Sequence, residues 1–273
     1  MNGDLVFQVG KKFEGRGRML RDIVLVHGGG QGAWVWAETI AAIRVEAGAT
    51  AGRIFCLNVP GCGDKRGQDT TGMSIPDVID ELASELDANN VSDALLVGHS
   101  QAGTLLPGLC AARSDRIARA VYFTCAAPDV GQTVVQMMGG GIHGSHQREV
   151  GWPRDPATTS SSEMFHAGFC NDMDEKQSRT FAAKLGMDHW PTACATEWSK
   201  WHYDSGCYVP VTYVLALADN ILPLAWQERF AARLNASRLV RLDCGHQGMN
   251  TRPYSLAEIL IEEARVPYVG AGH

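Results

Sequence analysis

Six short aliphatic runs, each followed by a loop signal and then a helical pattern, constrain the fold of this chain more than any other feature. They are "DIVLVHGGG", "IFCLNVPGCG", "ALLVGHS", "RAVYFTCAAP", "PVTYVLALAD" and "RLVRLDCGH". Apolar runs of this length, without polar alternation, fit strands covered on both faces, as in a parallel sheet. The stretches between them carry helical signatures. "SIPDVIDELASELDANN" opens with Ser74 and Asp77 at capping-box spacing, and Ile75, Val78, Ile79, Leu82 and Leu86 make one apolar stripe. "SLAEILIEEA" repeats the logic with Leu256, Ile259 and Leu260. Strands alternating with helices predict the α/β class, with a mostly parallel central sheet flanked by helices.

One region breaks the rhythm. From about Val135 to Tyr208 there is no strand-like run, and the composition shifts to Gly, Met, His, Ser and Trp. About 70 residues is too long for a plain loop in a compact domain, and Trp152, Trp190, Trp198 and Trp201 argue against disorder. The expectation is a core built from residues 1–134 and 209–273, with residues 135–208 inserted as a mainly helical cap.

Composition narrows the partners. The formal net charge of −6 over 273 residues gives no basic face for nucleic acid. No apolar run approaches the ~20 residues of a membrane span, and Lys11, Lys12, Glu14 and Arg16 interrupt the start where a signal peptide would be apolar. These features predict a cytoplasmic protein acting on a small molecule, away from membranes; the sequence says nothing about oligomeric state. The eight cysteines sit mostly singly among aliphatics (Cys56, Cys110, Cys125), with no Cys-x-x-Cys, which predicts buried free thiols. The nine histidines form no zinc-type cluster, so no metal is expected.

Chemistry enters at "LLVGHSQAGTLL". Gly98-His99-Ser100-Gln101-Ala102 approximates the nucleophile elbow Gly-x-Ser-x-Gly, with Ala102 at the last position and Gly103 next to it. Small neighbours are needed there because the serine backbone is strained and the following helix packs close to the strand. An ordinary glycine-containing loop explains the same letters, so the setting matters: a buried strand precedes and an apolar helical pattern follows. Upstream, "LVHGGGQGAW" puts glycines after the first strand, where backbone approaches a substrate carbonyl. Stabilising an oxyanion takes two N–H donors, and Gly29 and Gln101 are the natural pair; a merely flexible loop is the plainer reading of the glycines. The phosphate-loop pattern Gly-x-x-x-x-Gly-Lys-Ser/Thr is absent. Downstream, Asp219 closes the fifth run and His246 follows the sixth, giving the order Ser, Asp, His, each at the carboxyl end of a predicted strand. Asp243 is a rival acid, but it lies in the strand leading to His246. His27 and His99 flank the two loops and are expected to fix them by hydrogen bonds.

"LVHGGGQGAWVW", "LVGHSQAGTLL", "ALADNILPLAWQ" and "GHQGMNTRP" together resemble the α/β-hydrolase group that contains plant methyl esterases, hydroxynitrile lyases and related bacterial esterases. The resemblance runs from about Asp22 to Ala264, and "FCNDMDEKQ" in the inserted segment is similar to the bacterial members. It implies the α/β-hydrolase fold with Ser100 as nucleophile, Asp219 as acid, His246 as base, oxyanion amides at Gly29 and Gln101, and no cofactor. The lyases of the group resemble one another in a Thr after the oxyanion-loop His and a Lys after the catalytic His. This chain has Gly28 and Gln247 there, which favours ester hydrolysis, with amides, carbamates or lactones as other substrates of the same triad. A ligand receptor on the same fold is the non-enzymatic alternative. The first twenty or so residues fall outside the resemblance and are expected to add an edge strand.

Overall fold

The computed structural model describes residues 20–138, 158–198 and 209–265. The expected additional edge strand, together with Trp152, Trp201, His143, His146, His202 and Cys207, lies outside the described residues. All six aliphatic runs are strands: β1 (Ile23–Val26), β2 (Ile54–Leu57), β3 (Ala94–His99), β4 (Ile117–Phe123), β5 (Val211–Ala216) and β6 (Arg238–Leu242). The helices are α1 (Ala37–Ala47), α2 (Ile75–Ala88), α3 (Leu106–Ala112), α4 (Val134–Met138), α5 (Ser161–Phe169), α6 (Glu175–Ala182), α7 (Ala193–Thr196), α8 (Leu224–Arg233), α9 (Gly248–Thr251) and α10 (Pro253–Arg265).

Every strand pairing is parallel, in the order β2-β1-β3-β4-β5-β6. Successive side chains point to opposite faces of a strand, and both faces are packed. Val24, Val26, Leu96, Ala120, Tyr122, Tyr213 and Leu215 meet the apolar stripes of α2, α3 and α8. Ile23, Leu25, Leu95, Val97, Val121, Phe123 and Val214 meet α1 and α10. Double burial is the physical reason the runs lack polar alternation. The exception is β6, "RLVRL", which lies at the edge and alternates half-buried and exposed residues before Leu242.

Helix α2 starts where its capping box predicts: the Ser74 N–H donates to Asp77 Oδ2 at 2.8 Å, and the Asp77 N–H donates to Ser74 Oγ at 3.4 Å. Its five stripe residues are all buried. A buried Glu263 on α10 pairs with Arg119 of β4 and, at 2.8 Å, with Arg238 of β6, fastening that helix across the sheet. None of the seven described cysteines is in a disulfide; six are buried and Cys56 is only partly so. Among the described residues, no helix is long and apolar enough to cross a membrane.

The topology locates the functional end. From β1 the chain steps outward to β2, then returns past β1 to β3 and builds steadily toward the other edge. The direction therefore reverses between β1 and β3, and the crevice at their carboxyl ends is where ligands of open parallel sheets bind. The glycine loop follows β1 and Ser100 follows β3.

Candidate active site

Ser100 sits directly after β3 with φ +55°, a left-handed conformation that costs a non-glycine residue on the order of 1–3 kcal/mol. Close packing enforces it. A Cβ on Gly98 would lie 2.7 Å from both methyls of Leu106, and one on Gly103 would run into the backbone oxygen of Ala126. The Ala126 N–H in turn donates to the Ser100 carbonyl at 2.9 Å, tying the turn after β4 to the turn after β3. Ala102 fits in full burial. The helical pattern expected after Ser100 does not begin as α-helix: residues Ser100–Thr104 form a 3-10 turn, and α3 takes over at Leu106 with Pro107 in its first turn. A tighter turn of this kind suits the sharp reversal at the end of a strand.

The three residues singled out from the sequence meet here. His246 Nδ1 lies 2.7 Å from Asp219 Oδ2, and His246 Nε2 lies 2.9 Å from Ser100 Oγ. Because a carboxylate only accepts, Nδ1 carries the proton and Nε2 is free to accept from the serine hydroxyl. Both the His246 and Asp219 side chains are fully buried, while Ser100 is half-buried. Every carboxylate oxygen of Asp219 is used: Oδ1 accepts from the N–H groups of Ile221 (2.7 Å) and Leu222 (2.9 Å), and Oδ2 from His246 and the Thr124 hydroxyl. The loop carrying Asp219 is closed beneath by the buried Gln227, whose amide bonds Ala216 N and O and Leu222 O at 2.7–2.9 Å. Asp243 is exposed.

The glycine loop lies against the serine turn. A Cβ on Gly28 would be 2.9 Å from Ser100 Cβ, and one on Gly29 would overlap the Gln101 side-chain oxygen. Gly30 takes φ +68°, which turns the chain away. The Gln101 side chain reaches over Gly29 and donates to the Cys194 carbonyl on α7 at 3.1 Å. His27 and His99 behave as loop fasteners. The Val59 N–H donates to His27 Nε2 at 3.1 Å, so Nδ1 carries the proton and donates to the Gly28 carbonyl at 2.9 Å. His99 Nε2–H donates to the His246 carbonyl at 2.9 Å. Burial drives the His27 pKa down to about 4 and that of His99 well below its ordinary value, so both are neutral.

Four residues escaped the sequence reading. Thr124, at the end of β4 with φ +38°, supplies the fourth bond to Asp219. Asp188, between α6 and α7, has a fully buried carboxylate that accepts from Trp34 Nε1 (2.8 Å), Gly63 N (2.7 Å) and the Arg66 guanidinium (2.7 and 3.0 Å). Asn171 and Asp172 reach the loops that bear Asp219 and His246. None announces itself locally: a Thr ending a strand and acids or amides in a polar stretch are ordinary. Among the expected aromatic residues of the segment between β4 and β5, Trp190 is half-buried with its ring edge-on to His27 at 5.8 Å, whereas Trp198 is exposed. His166 bonds Ser178 and His189 is exposed.

Comparison with known proteins bears on the fold and the family. A curated relative, a carbendazim hydrolyzing esterase from Nocardioides sp. (strain SG-4G), is 24% identical over 257 residues, covering 88% of this chain and 98% of the relative. A putative chloroplastic methylesterase 11 from Arabidopsis thaliana is also 24% identical, covering 89% of this chain and 64% of the relative. Among solved structures, an extracellular alpha/beta-hydrolase from a Paenibacillus species, described as sharing homology with tobacco salicylic acid binding protein 2, superposes with a TM-score of 0.71 at 19% identity. That match covers 90% of this chain and 100% of the other. The family model described as "Alpha/beta hydrolase family" matches residues 23–259. With this match spanning most of the sequence and the parallel sheet in accord with it, the chain belongs to the alpha/beta hydrolase family.

Proposed function

We propose that the protein is a serine hydrolase that cleaves carboxylic esters, with hydrophobic or aromatic esters preferred. The observation that carries the reading is the continuous hydrogen-bond relay from Ser100 Oγ through the His246 ring to Asp219. In this mechanism Ser100 Oγ adds to the ester carbonyl carbon as its proton passes to His246 Nε2, and Asp219 holds the resulting imidazolium. The carbonyl oxygen becomes an oxyanion and accepts from the Gly29 and Gln101 N–H groups. Collapse breaks the C–O bond, and the departing alcohol takes the proton from His246. Water, deprotonated by the same nitrogen, then releases the acid from Ser100.

One further observation supports an ester substrate and another an apolar one. The relatives carry the names esterase and methylesterase. The Phe169 ring stands edge-on to His246 at 5.5 Å, and the Trp190 ring edge-on to His27, so aromatic side chains of the segment between β4 and β5 flank both the proposed base and the glycine loop. The described part of the segment between β4 and β5, which the sequence marks as an inserted cap, is the part of the chain proposed to cover the site. A hydroxynitrile lyase reaction needs a partner for departing cyanide, and Gly28 and Gln247 bring no cation to that place.

The test is hydrolysis of a p-nitrophenyl ester panel by wild type and Ser100→Ala, both checked for folding. Wild type should turn over, with aromatic or long-chain acyl groups favoured over acetyl, and the variant should fall by a factor on the order of 10⁴. Equal activity of the two proteins would remove Ser100 from the mechanism.

A further inference from the structure

The segment between β4 and β5 touches the relay at an unexpected point. Asp172 Oδ2 accepts from the Gly245 N–H at 2.7 Å and from the Thr251 hydroxyl at 2.8 Å, so it grips the chain immediately before His246 and the short helix just after it. Asn171 Nδ2 donates to the Ala218 carbonyl at 2.8 Å, immediately before Asp219. On the other side of Asp219, Asn220 Nδ2 donates to the Ala167 carbonyl in α5 at 2.8 Å. The fit is close: a Cβ on Gly245 would lie 2.5 Å from Asp172 Oδ1 and 2.6 Å from Asn171 Oδ1, and one on Gly168 would lie 2.5 Å from the Ile221 methyl. Phe169, in the same stretch, packs edge-on against the His246 ring. One stretch, residues 167–172, thus contacts both neighbours of Asp219 and the neighbour of His246.

We infer that Asn171 and Asp172 are positioning residues: they clip the Asp219 and His246 loops together and set the His246–Asp219 geometry from outside the sheet. The inference rests on the serine-hydrolase reading above. Neither side chain hydrogen-bonds Ser100; their effect runs through the peptide groups of Ala218 and Gly245. Both donors to Asp172 are neutral, an N–H and an O–H, so what the clip requires is a well-placed carbonyl-type oxygen and not a negative charge. Asparagine supplies that oxygen in the same shape; alanine does not.

The experiment measures the rate at which a fluorophosphonate labels Ser100, together with kcat and KM on the best p-nitrophenyl ester, for wild type, Asp172→Ala, Asp172→Asn and Asn171→Ala. The labelling step requires the relay to activate Ser100 and is independent of ester choice. Asp172→Ala should slow labelling and kcat about 10- to 100-fold with KM within about threefold of wild type, while Asp172→Asn stays within about threefold throughout. Asn171 is exposed and makes one bond, so Asn171→Ala should fold and lose about 3- to 10-fold in the same two rates. It decides the matter if Asp172→Ala does not fold. Folded variants labelled at the wild-type rate, or a loss confined to KM, would overturn the clip. Failure of wild type to label at Ser100 would instead overturn the serine-hydrolase reading, so the two failures are distinct.

Discussion

Asp188→Ala is the substitution for which the structure sets a definite cost. The carboxylate is fully buried and is met by the forked Arg66 guanidinium and the N–H groups of Gly63 and Trp34. A charge-assisted contact contributes about 1.5–3 kcal/mol, but Arg66 is 37% exposed, so the lower figure applies. Gly63 and Trp34 are partly buried, and each loses an acceptor at about 1 kcal/mol. Together the loss at pH 7 is about 3–4 kcal/mol, read as a lower urea midpoint at unchanged slope. The pH dependence has a definite sign. Burial by itself raises the Asp188 pKa, but the Arg66, Gly63 and Trp34 donors outweigh it and hold the value below the ordinary 3.8. A carboxylate depressed in the folded state stabilises fully above its unfolded pKa and ceases to do so as pH falls through the folded value. The gap between wild type and variant should therefore be constant at neutral pH and narrow only below about pH 4. A loss under about 1 kcal/mol at pH 7 would refute the reasoning.

Two other perturbations test the frame of the site. Gly103→Ala drives a methyl into the Ala126 oxygen and Cys125, so the turn beneath Ser100 must shift; we expect a loss of about 2 kcal/mol or more in urea unfolding, with a fall in ester hydrolysis exceeding what instability explains. His27 is held neutral with a pKa of about 4 against 6.5 unfolded, so the unfolded chain binds its proton first as pH drops. Stability should decline by about 3 kcal/mol between pH 6.5 and 4 from this residue, and His27→Gln should remove that part of the acid slope.

How much of this was readable beforehand follows from the range over which each residue acts. The four inner strands β1, β3, β4 and β5 were legible because burial on both faces writes itself into consecutive residues, the edge strands β2 and β6 because their runs recur in the same strand-then-helix rhythm, and α2 because Ser74 and Asp77 cap it locally. Ser100, Asp219 and His246 were legible because each sits at a strand end, where topology concentrates function. The 3-10 turn at Ser100–Thr104 was not, since its tightness comes from contacts with Ala126 and Leu106. Thr124, Asp188 and the pair Asn171–Asp172 were invisible for a different reason. Their partners lie between 47 and 154 residues away in sequence, and a polar residue in a loop carries no mark of which distant N–H it will meet.

The steady growth of the sheet from β3 to β6 has a consequence for the protein while it is being made. Ser100 and His246 are 146 residues apart. At about 5–20 residues per second, a ribosome takes roughly 7–30 s to deliver the second after the first. Throughout that interval the serine turn has no proton acceptor, and each new strand simply joins the open edge left by the last. On the serine-hydrolase reading proposed above, the nascent chain therefore carries an inert hydroxyl until the outermost strand and the loop beyond it dock.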